Sequence, residues 1–135
     1  MSLAKRLADG IEQGIRSLLG IVKPEAPPPL PKAERRDYTL EELKSYDGSD
    51  PHKPILLAVQ GRVFDVTRGR AFYGPEGMYG VFAGKDCTRA LAKFSTDPAD
   101  CTGDISDLTP AELEKLEDWL DTFSTKYDEV GALIR

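Results

Sequence analysis

Residues 68–86 read RGRAFYGPEGMYGVFAGKD, and they decide what kind of domain this is. Phe72, Tyr73, Tyr79 and Phe82 stand among Gly69, Gly74, Gly77, Gly80 and Gly84. An ordinary core segment does not spend so many glycines beside so many aromatics. Glycine lets a backbone bend sharply or come close to a bound molecule. Aromatic rings bring flat apolar area, and tyrosine adds a polar tip. The combination suits a wall that touches a large flat ligand.

Upstream of this stretch, residues 55–60 read as a strand, Gly61 as its turn, and residues 62–67 as the partner strand, with Val63 and Phe64 apolar. Before the hairpin, Thr39 with Glu42 forms a capping box that starts a short helix through Leu43 and Lys44, ended by a turn at Asp47 and Gly48. Downstream, Asp86 is placed to cap a helix over residues 87–94, with Leu91 as an apolar anchor. Residues 97–104 are a polar loop. Thr109 with Glu112 makes a second capping box, and Pro110 takes the favoured first helical position. Leu113, Leu116, Leu120, Phe123 and Tyr127 then space out one face of a long helix, with Trp119 beside it. A short helix is expected over residues 130–135. The order of short helix, hairpin, loop and helices is α+β, compatible with a small sheet under helices that wall a pocket.

A chain of 135 residues, 40% hydrophobic, supports one domain plus a tail. With 18 Lys+Arg against 23 Asp+Glu the net charge is -5. That balance argues against nucleic acid, whose binders carry a basic face. Cys87 and Cys101 are the only cysteines, and nothing marks the chain as secreted, which favours two reduced thiols. No C-x-x-C or Cys/His cluster predicts a zinc site. Serine–histidine–acid sets, phosphate loops and cysteines in a basic setting are also missing, so an enzyme is not expected.

Three segments follow: a leader at residues 1–22, a linker at 23–37 and the domain at 38–135. Lys5, Arg6, Asp9, Glu12 and Arg16 interrupt the leader, so it offers no continuous apolar span. Leu3, Leu7, Ile11, Ile15, Leu18, Leu19 and Val22 nevertheless recur on one helical face. Two readings stand: a helix lying on a membrane surface, or one packed on its own domain or on a second subunit, as in a homodimer. The run KPEAPPPLPK at residues 23–32 holds five prolines and reads as an extended spacer. Pro28 and Pro31 also form a P-x-x-P pattern.

The string FYGPEGMYGVFAGKD, preceded by GRVFDVTRGR, opened by DYTLEELKSYDG and followed late by KYDEVG, resembles the membrane-associated progesterone receptor group. That group is the branch of cytochrome b5-like haem/steroid-binding domains that ligates haem through tyrosine. The resemblance runs from Tyr38 to Leu133 and implies a cytochrome b5-like fold with helices walling a haem cleft. Ordinary cytochrome b5 holds iron between two histidines; this chain has one, His52, in a polar turn. Electron transfer of that type therefore loses its ligands. Tyrosine can serve as an axial ligand instead. A phenol holds its proton to about pH 10, and ferric iron carries enough charge to displace it.

By position, Tyr79 in MYGVF matches the group's metal ligand; the alternative is a core aromatic with a bonded hydroxyl. Tyr73 matches a contact at the haem periphery. Lys126 matches a partner for a propionate, or is a solvated surface charge. Tyr127 matches a hydrogen-bonding partner of the ligand tyrosine, or packs on the face of the last helix. Asp86 matches a pocket-edge acid, with the helix cap as its main role. Phe82 and Leu91, with Phe72 and Val81, are expected as lining or core, and Met78 as wall. The implied cofactor is five-coordinate ferric haem b. The implied role is to support cytochrome P-450 monooxygenases of sterol metabolism, or to handle haem for them. A sterol-binding module using the same cleft, and an interaction scaffold using the leader and spacer, are the alternatives. A leader on a bilayer implies the cytosolic face of the endoplasmic reticulum; otherwise the location is cytoplasmic.

Overall fold

The computed structural model describes residues 29–134. The leader at residues 1–22 and the first part of the linker, residues 23–28, lie outside the described residues. A two-residue strand β1 (Tyr38–Thr39) leads into the single-turn helix α1 (Leu40–Leu43). The capping box forms as expected: the Thr39 hydroxyl accepts the Glu42 N–H at 3.1 Å, and the Glu42 carboxylate accepts the Thr39 N–H at 3.1 Å. Strands β2 (Leu56–Val59) and β3 (Arg62–Asp65) pair antiparallel around the two-residue turn Gln60–Gly61. Both turn residues have positive φ, 48° and 76°, which matches the twist of a hairpin. The second strand is shorter than expected. The Asp65 carboxylate accepts both the N–H and the hydroxyl of Thr67, and a 3-10 turn begins there.

Helices α2 (Arg70–Tyr73), α3 (Thr88–Lys93) and α4 (Pro110–Lys126) follow. The expected helix at 87–94 is trimmed at both ends. Cys87 stands at its N-cap position, and Asp86, one residue earlier, accepts the Thr88 N–H at 3.2 Å and the Thr88 hydroxyl at 2.5 Å. Helix α4 starts with Pro110 and the second capping box, the Thr109 hydroxyl accepting the Glu112 N–H at 3.1 Å. Thr109→Ala is expected to cost about 1 kcal/mol, read as a lower urea midpoint.

The expected closing helix at residues 130–135 is instead a strand, β4 (Asp128–Ile134). The sheet order is β1-β4-β3-β2. Strand β4 runs parallel to β1, with Tyr38 opposite Leu133, and antiparallel to β3, with Arg62 opposite Ala132. A helix here would leave the backbone groups of β1 and β3 without partners. Tyr127 is also corrected. It closes α4 by donating its N–H to the Phe123 carbonyl at 2.8 Å, yet its own backbone is extended (φ −130°, ψ 158°) and feeds β4.

Successive strand residues point to opposite faces. Leu57, Val59 and Phe64 pack with Tyr73, Phe82, Leu91, Leu116 and Phe123 under α3 and α4. Leu56, Ala58 and Val63 pack on the other face with Tyr38, Leu43, Val130 and Leu133. Strand β2 is thus buried on both faces, which is why LLAV reads as a continuous apolar run. Where β4 passes the segment before β1, the Arg36 N–H donates to the Val130 carbonyl at 3.0 Å. A Cβ on Gly131 would overlap the Arg36 carbonyl oxygen and lie 2.6 Å from its carbon, so only glycine permits this approach.

Candidate functional site

The glycine-rich stretch leaves α2 and folds back on it. The Tyr79 N–H donates to the Phe72 carbonyl at 2.7 Å, and the Gly77 N–H to the Gly74 carbonyl at 2.9 Å. A side chain at Gly77 would overlap the Phe72 carbonyl oxygen and lie 2.8 Å from that of Ala71, so the fold-back requires glycine there. Tyr79 then opens a 3-10 turn, Gly80–Phe82, in which the Phe82 N–H donates to the Tyr79 carbonyl at 3.0 Å. That turn lays the Phe82 ring parallel to the Tyr79 ring, centroids 5.7 Å apart and planes within 8°. Trp119, from α4, meets Tyr79 edge-on at 6.3 Å.

Tyr73 lies deeper and is 6% exposed. Its ring packs at 6.1 Å from Tyr79, 6.0 Å from Phe123 and 6.1 Å from Tyr127. Burial, and then the neighbouring Tyr127, Cys87 and Tyr79, push the Tyr73 phenol far above its ordinary range. Burial also raises the Tyr127 phenol, with Arg68 acting in the opposite sense. Both therefore keep their protons at neutral pH. The Tyr79 ring is half-buried, and its hydroxyl makes no hydrogen bond among the described residues.

Tyr73, Tyr79, Phe82 and Tyr127 are thus brought into one aromatic cluster. The expected bond from Tyr127 to Tyr79 is not present; both rings contact Tyr73 instead. Lys126, at the end of α4, is exposed beside this cluster, and its carbonyl accepts a bond from the Arg68 guanidinium. Arg68 lies 5.8 Å from the centre of the Tyr127 ring, so two cations mark this edge. Leu91 is core, 1% exposed, and with Tyr79 and Phe82 it borders a cavity of only about 20 Å3. Phe72 and Met78, expected as lining and wall, face outward, 53% and 75% exposed. His52 is exposed in its turn.

Asp86 stands apart from the cluster. It is buried and borders a separate cleft of about 810 Å3 that none of Tyr73, Tyr79, Lys126 and Tyr127 lines. Two residues of the aromatic cluster escaped sequence reasoning. The helical spacing sets Trp119 beside the core face, whereas in the structure it meets Tyr79. Phe94, stacked on Trp119 at 6.4 Å, is 62% exposed and held at φ +51°, a strained conformation for a bulky side chain.

Among the described residues no helix is long and apolar enough to cross a membrane. A sequence model of the family described as "Cytochrome b5-like Heme/Steroid binding domain" matches residues 39–125. The chain is 53% identical over 111 residues to membrane steroid-binding protein 1 of Oryza sativa subsp. japonica, covering 82% of this chain and 48% of that protein. It is 49% identical over 109 residues to membrane-associated progesterone receptor component 2 of Homo sapiens, covering 78% and 48%. It thus spans about half the length of these relatives. A solved structure from Arabidopsis thaliana, described as having a cytochrome b5 like fold, superposes with a TM-score of 0.69 at 43% identity, covering 77% of this chain and 95% of that one.

Proposed function

Because this chain belongs to the membrane-associated progesterone receptor group of cytochrome b5-like haem/steroid-binding domains, we propose that it is a haem-binding module, not a catalyst, with Tyr79 as the iron ligand. The observation that carries this reading is the state of the Tyr79 phenol. Its ring is stacked on Phe82 and met edge-on by Trp119, and its N–H is tied to Phe72, yet its oxygen has no protein partner among the described residues. The half-buried Tyr79 hydroxyl is therefore open to a partner from outside the chain.

The residues fit a flat anionic cofactor on an open face. The cavity of about 20 Å3 beside Tyr79 admits no macrocycle, so a porphyrin belongs against the outside of the cluster. Exposed Phe72, Met78 and Phe94 provide apolar area there. When bound, haem would supply a ferric centre, and Tyr79 Oη, its proton released to solvent, would hold it as an anionic oxygen donor. Tyr73, kept neutral by burial, holds the Tyr79 ring in place and can donate at the edge. Lys126 and Arg68 suit the pairing of carboxylates. Tyr127, against Tyr73 and under Arg68, suits a donor at the ligand's rim better than a partner of Tyr79.

Trp119 is the only tryptophan in the chain and touches Tyr79, so it reports directly on this face. Hemin is expected to quench its emission saturably, with a ferric absorption band appearing in step. A sterol-binding module without haem is the second reading, favoured by the exposed apolar rim. It predicts a colourless protein in which progesterone shifts Trp119 emission and hemin leaves it unchanged. Support of cytochrome P-450 monooxygenases, and a peripheral place on the cytosolic face of the endoplasmic reticulum through residues 1–22, complete the proposal. Vesicle flotation of the chain with and without those residues tests the latter, and unchanged flotation after their removal would refute it.

A further inference from the structure

The cleft of about 810 Å3 lies on the far side of the Tyr79 loop. Tyr79 and Phe82 turn to the aromatic cluster, while Gly80, Ala83 and Gly84 of the same segment line the cleft. Its volume falls within the usual range of small-molecule sites, roughly 300–1,000 Å3. Leu40, Pro75, Ala83 and Pro98 supply apolar walls.

The charged groups around it are mostly spent. Lys44 pairs with Glu41 at 2.9 Å. The Asp47 carboxylate accepts the Ser49 N–H at 3.0 Å, and Asp86 accepts from Thr88. Lys85 is the exception. It is half-buried, its charge is felt by Asp47 and by Cys101, and its ammonium forms no hydrogen bond or ion pair among the described residues. An unpaired, partly desolvated cation beside apolar walls is complementary to an anion carrying an apolar body.

We propose that this cleft is a second ligand site, taking a fatty-acid-like amphiphile whose carboxylate pairs with Lys85 and whose chain covers Leu40, Pro75, Ala83 and Pro98. It goes beyond the haem reading and does not depend on it, since Tyr79 is not among the lining residues.

Cys101 makes the site measurable. Its half-buried thiol lines the cleft and donates to the Val81 carbonyl at 3.7 Å. The other thiol, Cys87, is fully buried and bonded to the Ala58 carbonyl at 3.3 Å. Alkylation of the folded chain by iodoacetamide therefore reads Cys101. Decanoate is expected to slow that reaction saturably. Lys85→Gln is expected to raise the half-saturating decanoate concentration about tenfold, a charge-assisted bond lost. Protection by the neutral decanamide should be the same in both proteins, which also shows that the variant folds. Tyr79→Phe should leave decanoate protection intact. No protection by decanoate, equal protection of Lys85→Gln, a parallel loss with decanamide, or loss in Tyr79→Phe would each overturn the proposal.

Discussion

Tyr79→Phe is expected to weaken hemin binding by at least about 100-fold and to remove the ferric ligand band. The substitution is sharply aimed. Phenylalanine keeps the ring stacked on Phe82 and edge-on to Trp119 and leaves the backbone bond to Phe72 untouched. Only an oxygen with no protein partner among the described residues is lost. The cost in stability should therefore stay within about 0.5 kcal/mol, so a loss of hemin cannot be ascribed to unfolding. Tyr73→Phe and Tyr127→Phe remove edge donors and should cost about tenfold or less. A Tyr79→Phe protein with the parent spectrum and affinity would end the ligand assignment, whatever the other two variants did.

Gly131→Ala is expected to lower folding stability by about 3 kcal/mol or more. The new methyl would collide with the Arg36 carbonyl, a backbone group held in place by the bond from the Arg36 N–H to Val130. Neither atom belongs to a flexible side chain that could swing aside. The segment before β1 must then move off β4, and the parallel pairing of Tyr38 with Leu133 is strained with it. Urea unfolding measures this directly as a lower midpoint at unchanged slope. A midpoint equal to the parent's would mean that the two segments do not approach as described.

These two positions differ in how far the sequence revealed them. Tyr79 stood out because aromatics and glycines alternate around it. Both capping boxes were legible because a hydroxyl and a carboxylate three residues apart satisfy each other locally. The hairpin was legible for the same reason, its turn being set by two adjacent residues. Strand β4 was not. Residues 130–134 form a short apolar run, and such a run fits a helix or a strand equally well. What decides it is the unfilled space between β1 and β3, which no local pattern contains. The placement of Tyr127 failed likewise: its spacing continues the helical face, and the helix stops there because the chain must turn into the sheet. Asp86 was recognised as a cap, but its position on a different cleft from Tyr79 emerges only when α1, the Tyr79 loop and the turn at Pro98 come together. The outward turn of Phe72 follows from the single turn of α2, which can bury Tyr73 or Phe72 but not both.

The interior place of β4 bears on how the molecule is made. Among the described residues it is the last strand in sequence, yet it fills the gap between β1 and β3. Its Ala132 N–H bonds to the Asp37 carboxylate, 95 residues earlier. A ribosome delivers these partners far apart in time, so hairpin β2–β3 must wait with one edge open until residue 134 has cleared the exit tunnel. Completion of the sheet is then a single late event, and nascent chains stalled within α4 are expected to need shelter from a chaperone.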